Sequence, residues 1–216
     1  MSEQILKALM QLFAIIARPE SNSKDRRTVV ESFLKRQLNQ ELVAEYLKVF
    51  DNYYTIHQRK QKDTDSRRRR ISASSVRVLK ICTEINEELA QPQKIIVLIQ
   101  LLEFVKSDND KITKQEMEFV NTVAESFYIS KDEYLQIKDF VLYSFEQIPD
   151  FSTLLVLKGK NSKQFQSLKT KHMEIENLQG QIWVLNVNST NMYFIRYMGV
   201  NEIYMNGQLI EREKVY

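Results

Sequence analysis

All four glycines of this 216-residue chain, Gly159, Gly180, Gly199 and Gly207, lie in its last third, and none precedes residue 159. Glycine supplies the positive-φ positions that tight β turns use, and it weakens helix interiors. A glycine-free stretch this long therefore reads as helical, and the remainder reads as short strands joined by turns. Pro149 stands at the change of character. The charge follows the same division. The chain up to residue 150 holds 23 basic and 23 acidic residues, and the rest holds 8 and 5, so the formal excess of +3 comes from the second part. An excess this small does not by itself mark a nucleic-acid protein. A single cysteine, Cys82, excludes an internal disulfide framework, and with two histidines it leaves no thiolate–imidazole zinc cage.

Helical spacing of apolar residues recurs seven times before Pro149. Ile5, Leu6, Leu9, Leu12, Phe13 and Ile16 form the first stripe, and Val29, Val30, Phe33 and Leu34 the second. Leu42 to Tyr54, Val76 to Leu89, Ile95 to Val105, Met117 to Phe127 and Tyr134 to Phe145 supply the others. Thr113-Lys-Gln-Glu116 and Ser130-Lys-Asp-Glu133 both fit the capping box that opens a helix, and Pro92 suits a first helical turn. The segments Phe13 to Leu34 and Leu102 to Phe127 share an order of helix, polar loop and helix, a weak internal repeat expected to pack as an antiparallel bundle. The most apolar run, Ile95 to Leu102, is far shorter than the roughly 20 residues a membrane helix requires. Met1-Ser2-Glu3-Gln4 lacks the basic start of a secretion signal, so the chain reads as cytoplasmic.

Beyond Pro149 the expected strands are Leu154 to Leu157, Ile182 to Val187, Met192 to Tyr197, and Ile203 to Met205 leading through Asn206-Gly207 to Leu209 and Ile210. Asn-Gly between apolar runs is a strong hairpin signal. The fold class that follows is α+β: an all-α bundle over 1–150 with a basic linker near 58–73, then a small, incomplete antiparallel β domain over 151–216. The ending at Val215-Tyr216, read as falling inside a strand, suggests a fragment of a longer protein.

Two segments carry possible chemistry. Ser107-Asp108-Asn109-Asp110-Lys111-Ile112-Thr113 is an oxygen-rich loop, and Asp108, Asp110 and Glu116 are candidate ligands for a divalent cation such as Ca²⁺, Mg²⁺ or Mn²⁺. It is no EF-hand, because Ile112, Thr113 and Phe119 stand where that loop needs an oxygen donor, glycine and glutamate. The competing reading is a solvated turn with a helix cap. The second segment, Arg67, Arg68, Arg69 and Arg70 before Ile71-Ser72, can meet the phosphates of nucleic acid or anionic lipid, or present Ser72 to a basophilic kinase. No aromatic residue interleaves these arginines, so a stacking platform for single strands is not indicated. A solvated linker is the plainer reading. His57, His172 and Cys82 show no triad or metal spacing, and no glycine-rich phosphate loop can precede residue 159. No catalytic constellation is visible, and the segment reads as non-enzymatic.

Asp108-Asn-Asp-Lys-Ile-Thr-Lys-Gln-Glu116 running into Phe119 and Val120, together with Ser130-Lys-Asp-Glu-Tyr134, resembles the TerB-like (tellurite-resistance) helical domains. That resemblance implies two helical repeats bearing cation-binding carboxylates, here Asp108, Asp110 and Glu116. Where the family's first repeat has an Ala-Asp-Gly loop, this chain has Ala17-Arg18-Pro19-Glu20. Tyr197-Met-Gly199, Glu202-Ile-Tyr204 and Asn206-Gly207 resemble the start of a forkhead-associated-like β domain, without the Gly-Arg and Ser-x-x-His elements that grip phosphothreonine. The whole order, with Val30-Glu-Ser-Phe-Leu34 and Gly180-Gln-Ile-Trp-Val-Leu185, resembles the N-terminal region of large Bacteroidetes-type ABC transporter ATP-binding proteins. This implies an accessory region whose partners are downstream ATPase and transporter domains at the inner face of a membrane. The alternatives are a stand-alone cation-binding stress protein, or a binder of nucleic acid or anionic lipid through the basic segment.

Overall fold

A computed structural model describes the backbone of all residues except 1, 18–22, 63–66, 108–111 and 161–166, and the side chains of these residues except 23–25, 60–62 and 67–73. Seven helices precede the strands among the described residues: α1 (Glu3–Ile16), α2 (Ser23–Lys35), α3 (Gln40–Lys62), α4 (Arg67–Glu88), α5 (Gln91–Lys106), α6 (Lys114–Ser126) and α7 (Lys131–Leu142). The strands are β1 (Leu154–Gly159), β2 (Lys171–Ile175), β3 (Gly180–Val187), β4 (Met192–Gly199), β5 (Tyr204–Met205) and β6 (Gln208–Leu209). The α+β class and all seven expected helices are present. No helix among the described residues is long and apolar enough to cross a membrane.

The chain divides into two compact units, Met1–Lys131 and Asp132–Tyr216. In the first, α5 is buried over most of its circumference: Ile95, Val97, Leu98, Ile99, Leu101, Leu102, Phe104 and Val105 are core residues, while Ile96, Glu103 and Lys106 are half-buried. A helix whose apolar residues cover most of its surface is an inner helix. It packs against α1, α2 and α6, while α1 also packs on α3 and α4. An aromatic cluster joins these layers. The Phe13 ring lies 5.8 Å from Phe33 and 5.2 Å from Phe104, and Phe104 lies 6.2 Å from Phe50. Pro92 sits in the first turn of α5, and the Ala90 amide donates to Gln93 Oε1 at 2.9 Å.

The expected basic linker is largely helix. Residues 58–62 finish α3 and 67–73 begin α4, with 63–66 outside the described residues. Arginine, lysine and glutamine are good helix formers, and a charge run is no barrier to helix.

In the second unit the four-stranded sheet has the order β2-β1-β3-β4. The expected antiparallel pairing holds for β1–β3 and β3–β4, but β2 joins β1 in parallel, which makes the sheet mixed. A parallel neighbour needs a crossover instead of a hairpin, and residues 160–170 supply its length. Asp150 organises that crossover. Its carboxylate accepts from Ser167 Oγ at 2.6 Å and from the amides of Lys169 and Thr170 at 2.8 and 3.0 Å, and these donors hold it well below the usual carboxylate range. Leu154, Val156, Trp183, Leu185 and Phe194 are buried on one sheet face, where Phe140 of α7 and Phe145 lie 6.5 and 4.7 Å from Trp183. On the other, Leu178, Tyr197 and Ile210 form a smaller core with Leu157, Ile182, Ile195, Ile203 and Tyr216.

The Asn206-Gly207 hairpin joins β5 to β6 with φ of 52° and 79°, as a type I′ turn demands. At Gly180 a Cβ would stand 2.1 Å from the Met198 carbonyl oxygen, so only glycine fits where β3 starts beside the end of β4. Residues 213–216 close on β4: Val215 bridges Arg196, and Ile195 and Tyr216 exchange both backbone hydrogen bonds at 2.8 and 3.0 Å.

Candidate functional site

The site begins with the local chemistry of a helix start. Thr113 is the N-cap of α6, with extended backbone, and its hydroxyl accepts from the Glu116 amide at 3.2 Å. Glu116 reaches back, so that its Oε2 accepts from the Thr113 amide at 2.8 Å and from the Thr113 hydroxyl at 2.7 Å. The capping box expected from Thr113-x-x-Glu116 is therefore formed, and it satisfies amides that a helix N-terminus would otherwise leave unpaired.

The second carboxylate oxygen does something the capping box does not require. Glu116 Oε1 lies 2.5 Å from Nη2 of Arg26, on α2, and the two side chains are 2% and 1% exposed. The Arg26 guanidinium also stands 5.0 Å from the Phe104 ring centroid of α5. One ion pair thus fastens α2 to α6 beside α5. Charge burial of this kind is tolerated only when each ion has its partner and its hydrogen bonds.

Of the three candidate cation ligands, Asp108 and Asp110 lie outside the described residues, as do Arg18, Pro19 and Glu20 of the first-repeat loop. Glu116 is described, and both its oxygens already have protein donors. A guanidinium in contact with the carboxylate places positive charge where a dication would add its own, so Glu116 as arranged is a poor fit for a metal ligand. Among the described residues no three His, Cys, Asp or Glu side chains converge. Cys82 is fully buried on α4, and burial pushes its thiol up to about 12. His57 and His172 fall on different elements, α3 and β2. Arg67, Arg68, Arg69 and Arg70 form the first turn of α4.

Sequence reasoning missed Arg26, although its signal was present. Positions 26, 30, 33 and 34 recur at helical spacing, and Val30, Phe33 and Leu34 are core residues, so Arg26 falls on the buried face of α2. It also missed Arg196, which is 1% exposed. Arg196 Nη1 donates to the carbonyls of Phe140 and Tyr143 at the end of α7, and its guanidinium lies 4.8 Å from the Phe145 ring and 5.4 Å from Trp183. A cation here complements the negative end of the helix dipole.

The sequence model of the family described as Tellurite resistance protein TerB matches residues 8–139, more than half of the chain. The chain belongs to the TerB family. The match begins within α1 and ends within α7, so it takes in Arg26, Glu116 and the loop between α5 and α6. Neither the comparison with curated proteins nor that with solved structures gave a match. Within this TerB-family chain the best-built polar feature is the Arg26–Glu116–Thr113 cluster, which ties helices together.

Proposed function

We propose that this TerB-family chain is a non-catalytic accessory region of an ABC-type transporter ATP-binding protein, working by protein interaction on the cytoplasmic side. The observation that carries the reading is the Arg26–Glu116 pair. The buried carboxylate at the head of α6 is balanced by a cation from the chain itself, so this centre acts as scaffold. The absence of any glycine before residue 159 supports it, because a phosphate-binding loop would then lie elsewhere. The transporter context rests on the resemblance carried by Val30 to Leu34 and Gly180 to Leu185. The forkhead-associated-like reading of the second unit rests on Tyr197 to Gly199 and Glu202 to Gly207. That unit acts as a docking or spacing element on this reading, with no phosphothreonine grip.

The test is the size of the native gene product in its source cells, read by intact mass or by an antibody to residues 1–150. A product much larger than 25.6 kDa that binds ATP is the expected result. A 25.6 kDa species overturns the transporter reading. Calorimetry with Ca²⁺, Mg²⁺ and Mn²⁺ provides the second arm. Heat in the wild type that disappears in Asp110→Ala would put a cation-binding function at Asp108, Asp110 and Glu116 in its place.

A further inference from the structure

Helix α4 has two different halves. Val78, Ile81, Cys82 and Ile85 make a clean buried stripe, and the opposite side faces water. On that outer side Val76 is 63% and Leu79 48% exposed, alternating with the exposed cations Arg77 and Lys80. From Arg67 to Thr83 the helix holds six basic residues and no acidic one. Four of the six occupy the first turn, where the helix dipole already presents positive charge and favours acidic residues. Within the helix no acidic residue precedes Glu84 to offset them. Local rules broken without local compensation are expected at functional surfaces.

We infer that the outer face of the N-terminal half of α4 docks on an anionic phospholipid surface. This goes beyond the accessory role proposed above and does not depend on it. Charge complementarity identifies the partner as polyanionic, and the exposed aliphatic pair selects among polyanions. Val76 and Leu79 can enter the boundary between headgroups and acyl chains while Arg77 and Lys80 meet lipid phosphates, the pattern of an interfacial basic helix, and the four arginines of the first turn add their charge to the field at that end of the helix. Nucleic acid would leave Val76 and Leu79 without a role, and the face offers no aromatic ring for base stacking.

The experiment is flotation of the full 216-residue chain with vesicles of phosphatidylcholine alone and of phosphatidylcholine with one quarter phosphatidylglycerol, at low and high salt. The chain is expected to float with the anionic vesicles only and to be released by salt. Each basic residue removed should weaken binding about fivefold, so changing Arg67, Arg68, Arg69 and Arg70 to glutamine together should abolish it. Val76→Ser with Leu79→Ser should weaken it about tenfold while leaving the salt dependence intact. Val76, Arg77, Leu79 and Lys80 are exposed and lie outside the α4 core stripe, and unchanged far-UV circular dichroism confirms each variant's fold. Arg77→Gln with Lys80→Gln provides an independent charge test should the four-residue variant misfold. Equal binding to both vesicle types, or none, overturns the proposal. So does a Val76/Leu79 variant that binds like wild type, or an affinity for duplex DNA equal to that for the anionic vesicles.

Discussion

Arg26 and Glu116, 90 residues apart in sequence, meet at 2.5 Å with side chains 1% and 2% exposed. Removing either partner leaves a buried charge or its polar remnant without its counterpart. Arg26→Met and Glu116→Leu are each expected to cost about 3–5 kcal/mol, and the double variant markedly less than their sum. Urea unfolding followed by circular dichroism at 222 nm measures this. Additive losses in the double variant would show that the two side chains do not act as a pair.

Arg196 fills the corresponding place in the second unit. Arg196→Met is expected to destabilise that unit by about 2–4 kcal/mol, because the carbonyls ending α7 lose their donor and the aromatic rings lose their cation. Arg196→Lys should recover only part, since an ammonium lacks the flat guanidinium that lies among Phe140, Phe145 and Trp183. Trp183 is the single tryptophan of the chain, so its fluorescence during denaturation reports this unit alone.

Cys82 should be nearly inert in the folded protein. Its thiol is pushed from an ordinary 9.0 up to about 12 by burial, which lowers the reactive thiolate about a thousandfold before access is considered. A thiol reagent such as DTNB at pH 8 should label the native chain slowly and the urea-unfolded chain at once. Fast native labelling would place Cys82 outside the core.

His172 on β2 should make stability pH-dependent in a defined window. Burial, with Lys158 second, lowers its pKa below the ordinary 6.5, while Asp150 opposes the shift. The unfolded chain therefore takes up a proton near 6.5 that the folded chain refuses. Stability is full above 6.5 and falls as pH drops from 6.5 towards the lowered folded value. Melting temperatures from pH 7.5 to 5.5 should decline in the wild type, and the decline should shrink in His172→Phe.

The sequence is most informative where burial leaves a period. The stripes at Ile5–Ile16, Leu42–Tyr54 and Ile95–Val105 are legible because each helix has a face, or in α5 most of its circumference, that excludes water. The Asn206-Gly207 hairpin is legible because its backbone admits few residue types. Lys171-His-Met-Glu-Ile175 hides its strand. As an edge strand with Lys171, Met173 and Glu174 exposed, it lacks the inside–outside alternation of β3, and its parallel partner is set by tertiary packing. The switch at Pro149 marks where strands begin, but α7 packs through Phe140 onto Trp183, a relation that glycine content cannot disclose. At the candidate site, Thr113 and Glu116 are readable as a local motif. Arg26 is not, because the carboxylate that justifies burying it lies on another helix.

The extensive burial of α5 also bears on how the chain is made. A helix so largely apolar is an aggregation hazard whenever it is exposed, and a chain emerging from the ribosome is sheltered only by what has already emerged. Of the helices that cover α5, α1 and α2 are synthesised before it and α6 after it. The nascent chain thus has most of the berth ready when its stickiest segment appears. A truncation that starts after α4 removes α1 and α2 and releases α5 before α6 has emerged. The N-terminal helices serve, in this sense, as a built-in chaperone for the one that follows.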